Sequence, residues 1–216
     1  MILTAHQPAY LPWLGLISKI AGADACVILD NVQMSGKDSE NFVNRNRILT
    51  ANGPQWLTVP VRRKEGQRIS EVQIASDQPW ARKHWRAIEL AYARAPFFER
   101  YGPSLKRLLL DREWCELAEL CAATTEWLLR EFEVNKPLYH VADDIALGGN
   151  ELLIHLCQEF KADAFVFGKN GVDYVNRAAF KAAAVEPRFQ AYVSPDPVVY
   201  SAVHYLFTRG PDKGLL

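Results

Sequence analysis

The sequence predicts an α/β fold with a mainly parallel sheet and a helical insert. Three observations predict it. Residues 25–29 and 164–168 are unbroken apolar runs, and residues 2–5 form a short strand almost at the N-terminus. Such unalternating runs suit parallel strands covered on both faces. Strand, short helix and strand follow one another within the first thirty residues, a βαβ unit whose crossover is almost always right-handed. The stretch from residue 78 to residue 132 reads as helix, and α/β alternation then resumes.

In chain order, the first helix covers residues 14–21, with Leu14, Ile17 and Ile20 inward and Gly22 closing it. Residues 31–46 are polar and read as a long loop. Residues 55–61 and 69–74 read as two strands joined by a turn at 62–67, and Pro60 places its strand at an edge or end. Three helices follow. The first covers 80–95, with Trp85, Ile88 and Tyr92 on one face, and ends before Pro96. The second covers 97–110, with a break expected at Gly102-Pro103. The third covers 114–132, with Leu117, Leu120, Thr124 and Leu128 inward. A strand at 138–141, a helix at 150–160, the strand at 164–168, a helix at 178–184, a strand at 188–193 and a helix at 201–207 complete the chain. The expectation is one α/β domain over residues 1–216, with the insert at about 78–135.

Composition narrows the function. Lys plus Arg equals Asp plus Glu at 25 each, so no global basic excess points to nucleic acid. Cys26, Cys115, Cys121 and Cys157 form no CxxC pair and have no histidine at metal spacing. They read as reduced buried thiols rather than a metal site. No apolar run is long enough to span a bilayer, and no basic stretch precedes an apolar one at the N-terminus. A cytoplasmic protein is expected.

Ligands of open parallel sheets bind outside the carboxyl ends of the strands. The loop after the first strand, His6-Gln-Pro-Ala-Tyr-Leu-Pro-Trp13, is therefore the first site candidate. His6 offers a base, Gln7 a donor and an acceptor, and Tyr10 and Trp13 stacking faces. The second candidate is the loop after the second strand, with Asp30, Gln33, Lys37, Asn44, Arg45 and Asn46. Asp30 lies beside the His6 loop if the two strands pair. Arg45 can fork onto a carboxylate or phosphate, and the amides can read hydroxyls. The third is Lys83-His84 with Tyr92, on a helix. The fourth is Gly168-Lys-Asn-Gly-Val-Asp-Tyr174, where Lys169 can neutralise a phosphate and Tyr174 closes the turn. There is no GxSxG.

Pro8 in a strand-loop-helix setting partly resembles the first signature of nucleotidylyltransferases, which implies a Rossmann-like, nucleotidylyltransferase-like sheet. Tyr10 and Trp13 stand where both signature histidines would be. Pro12 stands where the glycine would be and has no N–H for a phosphate.

Taken together, residues 6–15, 24–33 (DACVILDNVQ), 44–48 (NRNRI), 56–61 (WLTVPV), 83–84, 92–97 (YARAPF) and 171–180 resemble the WbqC-like family of bacterial O-antigen and surface-polysaccharide gene clusters. The resemblance implies transfer of a glycyl or other acyl group onto an amino sugar or its nucleotide-linked form. The donor would be an activated acyl or aminoacyl compound, and Mg²⁺ at Asp30 is compatible with it. In that reading His6 or His84 takes a proton from the acceptor, Asp30 orients the base, and Arg45 and Lys169 hold the donor's phosphates. The alternatives are a non-catalytic module binding a glycan precursor or partner, and a nucleotidyltransferase. The chain departs from the family at three places. His204 stands where an Asp is expected, residues 194–199 look shortened, and residues 35–40 are atypical.

Overall fold

The structure, a computed structural model, describes residues 1–34, 41–142 and 145–216. The atypical stretch 35–40, with Lys37, lies outside the described residues.

The opening βαβ unit forms as expected. β1 (Ile2–His6), α1 (Leu14–Ala21) and β2 (Ala25–Ile28) follow in turn, and β1 pairs with β2 in parallel, His6 opposite Ile28. The chain then leaves the sheet. β3 (Arg45–Thr50) and β4 (Gly53–Thr58) make an antiparallel hairpin, and β5 (Val61–Arg62) pairs with β6 (Gln73–Ile74). Helices α2 (Trp80–Tyr92), α3 (Phe98–Leu110) and α4 (Leu117–Glu131) follow. The chain re-enters the sheet at β7 (Leu138–His140) and continues through α5 (Gly149–Glu159), β8 (Ala164–Phe167), α6 (Arg177–Ala182), β9 (Glu186–Phe189) and α7 (Ala202–Arg209).

The central sheet has five parallel strands in the order β7-β2-β1-β8-β9. The order reverses direction between β1 and β8. A crevice at such a switch point is where open α/β sheets bind ligands. Side chains alternate between two cores. Leu3, Ala5, Ala25 and Val27 pack with Leu152, Leu156 and Phe180 under α5 and α6. Cys26 and Ile28 join the larger core on the other face, with α1, the three middle helices and α7.

Four local expectations need correction. Residues 44–46 are not all loop, because Arg45 and Asn46 open β3. Polar side chains hid the strand. Asn46 is buried in it because its amide donates to Leu11 O at 2.7 Å and its carbonyl accepts from Arg47 N. The stretch 69–74 is a 3-10 turn, Ile69–Glu71, followed by only two strand residues. The last strand begins and ends earlier than expected, because β8 sets its register from Ala164–Glu186 to Phe167–Phe189. Finally, α3 runs unbroken through Pro103, with Gly102 lying against the Phe98 ring. Among the thiols, Cys115 is exposed and the other three are buried, all of them free.

Candidate functional site

A cavity of about 670 Å³ opens at the carboxyl ends of β1 and β8, a size typical of small-molecule sites. Four parts of the chain build most of it, one of them the segment 190–200 with Gln190, Tyr192 and Ser194. The loop after β1 supplies His6, Gln7 and Trp13, and the first turn of α1 supplies Leu14 and Gly15. The turn after β8 supplies Lys169 and Tyr174. Two glycines make the walls possible. A Cβ on Gly15 would lie 2.9 Å from Trp13 Nε1 and 3.1 Å from Tyr192. One on Gly171 would lie 2.3 Å from Phe167 Cβ, so only glycine lets that turn fold back onto β8.

His6 Nδ1 lies 2.8 Å from Gln7 O. A carbonyl only accepts, so Nδ1 carries the proton and Nε2 keeps its lone pair. Among the described residues nothing hydrogen-bonds Nε2, and His6 lines the cavity. Burial, reinforced by the nearby Lys19 charge and opposed by the Gln7 carbonyl, pushes its pKa down to about 3. The ring is neutral at pH 7. It packs edge-on against Trp13, centroids 5.4 Å apart, and Trp13 packs against Phe42, which also lines the cavity.

The other half of the same loop is structural. Tyr10 is fully buried. It cannot stack on a substrate, because its ring fills the core beside Trp80 and His84. His84 is buried as well, and both its nitrogens are committed. One donates to the Thr58 backbone, and Nδ1 accepts from Tyr10 Oη at 3.0 Å. Burial lowers its pKa to about 4, so it too is neutral. His84 therefore has no lone pair to offer a substrate, and it lines none of the cavity. Leu11 holds a left-handed φ of 44°, costly for a leucine and disfavoured before a proline. Thr124 Oγ1 accepts from its N–H and Asn46 donates to its carbonyl. Asn46 thus positions the loop and reads no hydroxyl.

The remaining sequence candidates scatter. Asp30 does not orient His6. It turns to the other side of β2 and accepts from His140 Nδ1 at 2.6 Å, at the end of β7. Among the described residues no three His, Cys, Asp or Glu side chains converge, so the Mg²⁺ anticipated at Asp30 finds one further ligand-type group there, His140. Asn44 donates to Val59 O within the hairpin region, and Arg45 rides on the Trp56 ring at 4.4 Å. Gln33 makes an isolated bridge with Arg68. Lys83 lines a separate depression beside Thr50 and Arg86. Tyr92 Oη accepts from Leu49 N at 3.0 Å and shares a hydrogen bond of 3.2 Å with His204 Nδ1. His204 packs among Tyr92, Tyr200 and Tyr205 and stays outside the cavity wall.

Two residues that the sequence reading passed over belong to the strand-edge region. Lys19 lines the cavity. Its signal was the one charged residue of a mostly apolar helix, beside Ser18 and between Ile17 and Ile20. His140 ends the strand β7, and the rule that selected His6 would have selected it too.

A model of the WbqC-like protein family matches residues 7–210. The chain belongs to the WbqC-like protein family. The family match takes in the cavity walls from Gln7 to Tyr205, with His6 directly before it. A curated relative, the uncharacterized protein Rv1507c of Mycobacterium tuberculosis, is 33% identical over 177 residues, covering 81% of this chain and 75% of the relative. No solved structure matches this chain. No helix among the described residues is long and apolar enough to cross a membrane.

Proposed function

We propose that this WbqC-like chain is a transferase that moves an acyl or aminoacyl group onto the amine of an amino sugar, or its nucleotide-linked form, in surface-polysaccharide assembly. One observation carries the reading. A neutral imidazole stands in the wall of a cavity at the sheet's switch point, its Nε2 without a hydrogen bond among the described residues and with lysines and aromatic rings around it. A neutral lone pair is what a proton acceptor needs. In the reaction the acceptor nitrogen attacks the donor carbonyl. The N–C bond forms and the bond from carbonyl to leaving group breaks. The amine proton passes to His6 Nε2 and from there to the leaving group. Gln7 lies beside the reacting atoms as donor and acceptor, Trp13 and Tyr174 flank the sugar or base, and Lys169 meets the donor's charge at the mouth.

The test is direct. Purified protein is incubated with acyl-CoA or with ATP plus glycine, together with UDP-linked amino sugars, and products are read by mass spectrometry. An acceptor heavier by the acyl or glycyl group supports the reading. Binding of the nucleotide sugar with no product across the donors overturns it in favour of a recognition module. A nucleotidyl product overturns it in favour of nucleotidyl transfer.

A further inference from the structure

Among the described residues the charge of the cavity wall is unbalanced: it contains two lysines, Lys19 on α1 and Lys169 in the turn after β8, and no Asp or Glu. Lys19 is only 6% exposed. Its ammonium donates to Ala5 O at 2.9 Å, a neutral acceptor. None of the ion pairs among the described residues includes it. A buried ammonium without a counter-ion costs several kcal/mol. A leucine in the same apolar turn of α1 would avoid that cost.

The groups around Lys19 do not supply the missing charge. His6 on β1 is neutral, and Cys26 on β2 stays a thiol because burial raises its pKa to about 11. Tyr192 and Tyr205 on the cavity wall hold their protons, their pKa values raised by burial. Asp196, between the wall residues Ser194 and Pro197, accepts from Tyr205 Oη at 2.8 Å. The first turn of α1 lines the same cavity and adds the positive end of its dipole.

We propose that Lys19 is the seat of an anionic oxygen of the substrate, a carboxylate or a phosphate, and that this oxygen arms His6 as a base. Burial is the larger cause holding the imidazole neutral and the Lys19 charge the smaller, and the anion offsets the second. His6 then gains proton affinity only when the substrate is in place. The role given to His6 rests on the transfer reading, while the seat at Lys19 does not.

The experiment reads binding and protonation without turnover. Wild type, Lys19→Met and Lys169→Met are titrated with acetate and glycine in one arm, and with phosphate and pyrophosphate in the other. Sodium chloride at matched ionic strength is the control. Thermal melting, calorimetry and ¹⁵N-histidine spectra are recorded. In wild type one arm raises the melting point, and the His6 ring nitrogens show a pKa higher by about one pH unit or more. The responding arm tells carboxylate from phosphate. Lys19→Met folds with an equal or higher melting point, because methionine suits an apolar turn, and it binds the anion at least about tenfold more weakly. Unchanged anion affinity in Lys19→Met overturns the seat, as does loss of affinity in Lys169→Met alone. An unresponsive His6 in saturated wild type overturns the arming, whether or not the variants fold. A protein that passes these tests but makes no product overturns the transfer reading alone.

Discussion

His6 is half-buried and His84 buried, both held neutral by desolvation and both packed against aromatic rings. They differ in the fate of the second ring nitrogen. His84 spends both nitrogens on Thr58 and Tyr10, so its hydrogen bonds hold the helical layer to the loop. His6 spends one nitrogen on its own neighbour's carbonyl, lines a cavity, and has no hydrogen bond to the other nitrogen among the described residues. A depressed pKa therefore says nothing about function until the fate of the lone pair is known. The boundary between the two roles runs through a single loop. His6, Gln7 and Trp13 face the cavity, while Tyr10 and Leu11 anchor the loop in the core.

The sharpest way to break this comparison is to exchange the two losses. His6→Ala should lower group transfer by ~10²–10⁴-fold, the usual worth of a general base, and leave the melting point nearly unchanged. His84→Ala should do the reverse, destabilising by about 1–3 kcal/mol through the orphaned Tyr10 hydroxyl and leaving turnover per folded molecule close to wild type. Steady-state rates measured beside urea denaturation decide it. Equal losses of activity in the two variants would erase the distinction.

A smaller effect is expected at the anchor. Asn46→Ala removes the donor to Leu11 O and leaves the strained φ held by Thr124 alone, so it should destabilise by about 1–3 kcal/mol. It should raise KM more than it lowers kcat, since the loop's cavity face loses position while His6 keeps its chemistry. A fall in kcat alone would place Asn46 in the chemistry and contradict the anchoring role.

The smallest effect is on pH dependence. In the unfolded chain both rings take up protons as pH falls through about 6.5. In the folded protein His84 does so near 4 and His6 near 3. Between these limits the unfolded state binds more protons, so stability declines as pH drops below about 6.5 and is retained above it. His84→Gln should flatten the decline between pH 6.5 and 4, read as the urea midpoint at several pH values. An unaltered slope would mean that His84 titrates normally in the folded protein.

Much of the α/β frame was legible because local patterns coincide with tertiary demands. Apolar runs marked β2 and β8, and a glycine just past Ala21 marked the end of α1. The hairpin strand β3 was not legible, because its buried Asn46 is polar and becomes a core residue only by bonding Leu11 in a distant loop. The site was half legible. A strand-end rule finds His6, Gln7, Trp13 and Lys169 without knowing which strands are neighbours. It also collects Asp30, Arg45 and Tyr10, which local sequence cannot separate from them.

The sequence by itself determined the βαβ start, the helical middle, the return to the sheet and the likeness to the WbqC-like family. Periodicity, glycine placement and motif wording are properties of consecutive residues. The tertiary structure alone decided that β8 lies against β1, so that the Lys169 turn closes over His6 and Asp30 is left to His140. It also decided that Lys19, the one charged residue of α1, comes to rest in the cavity wall with no ion pair among the described residues. Strand order and desolvation depend on contacts between residues far apart in the chain, and no local pattern encodes them.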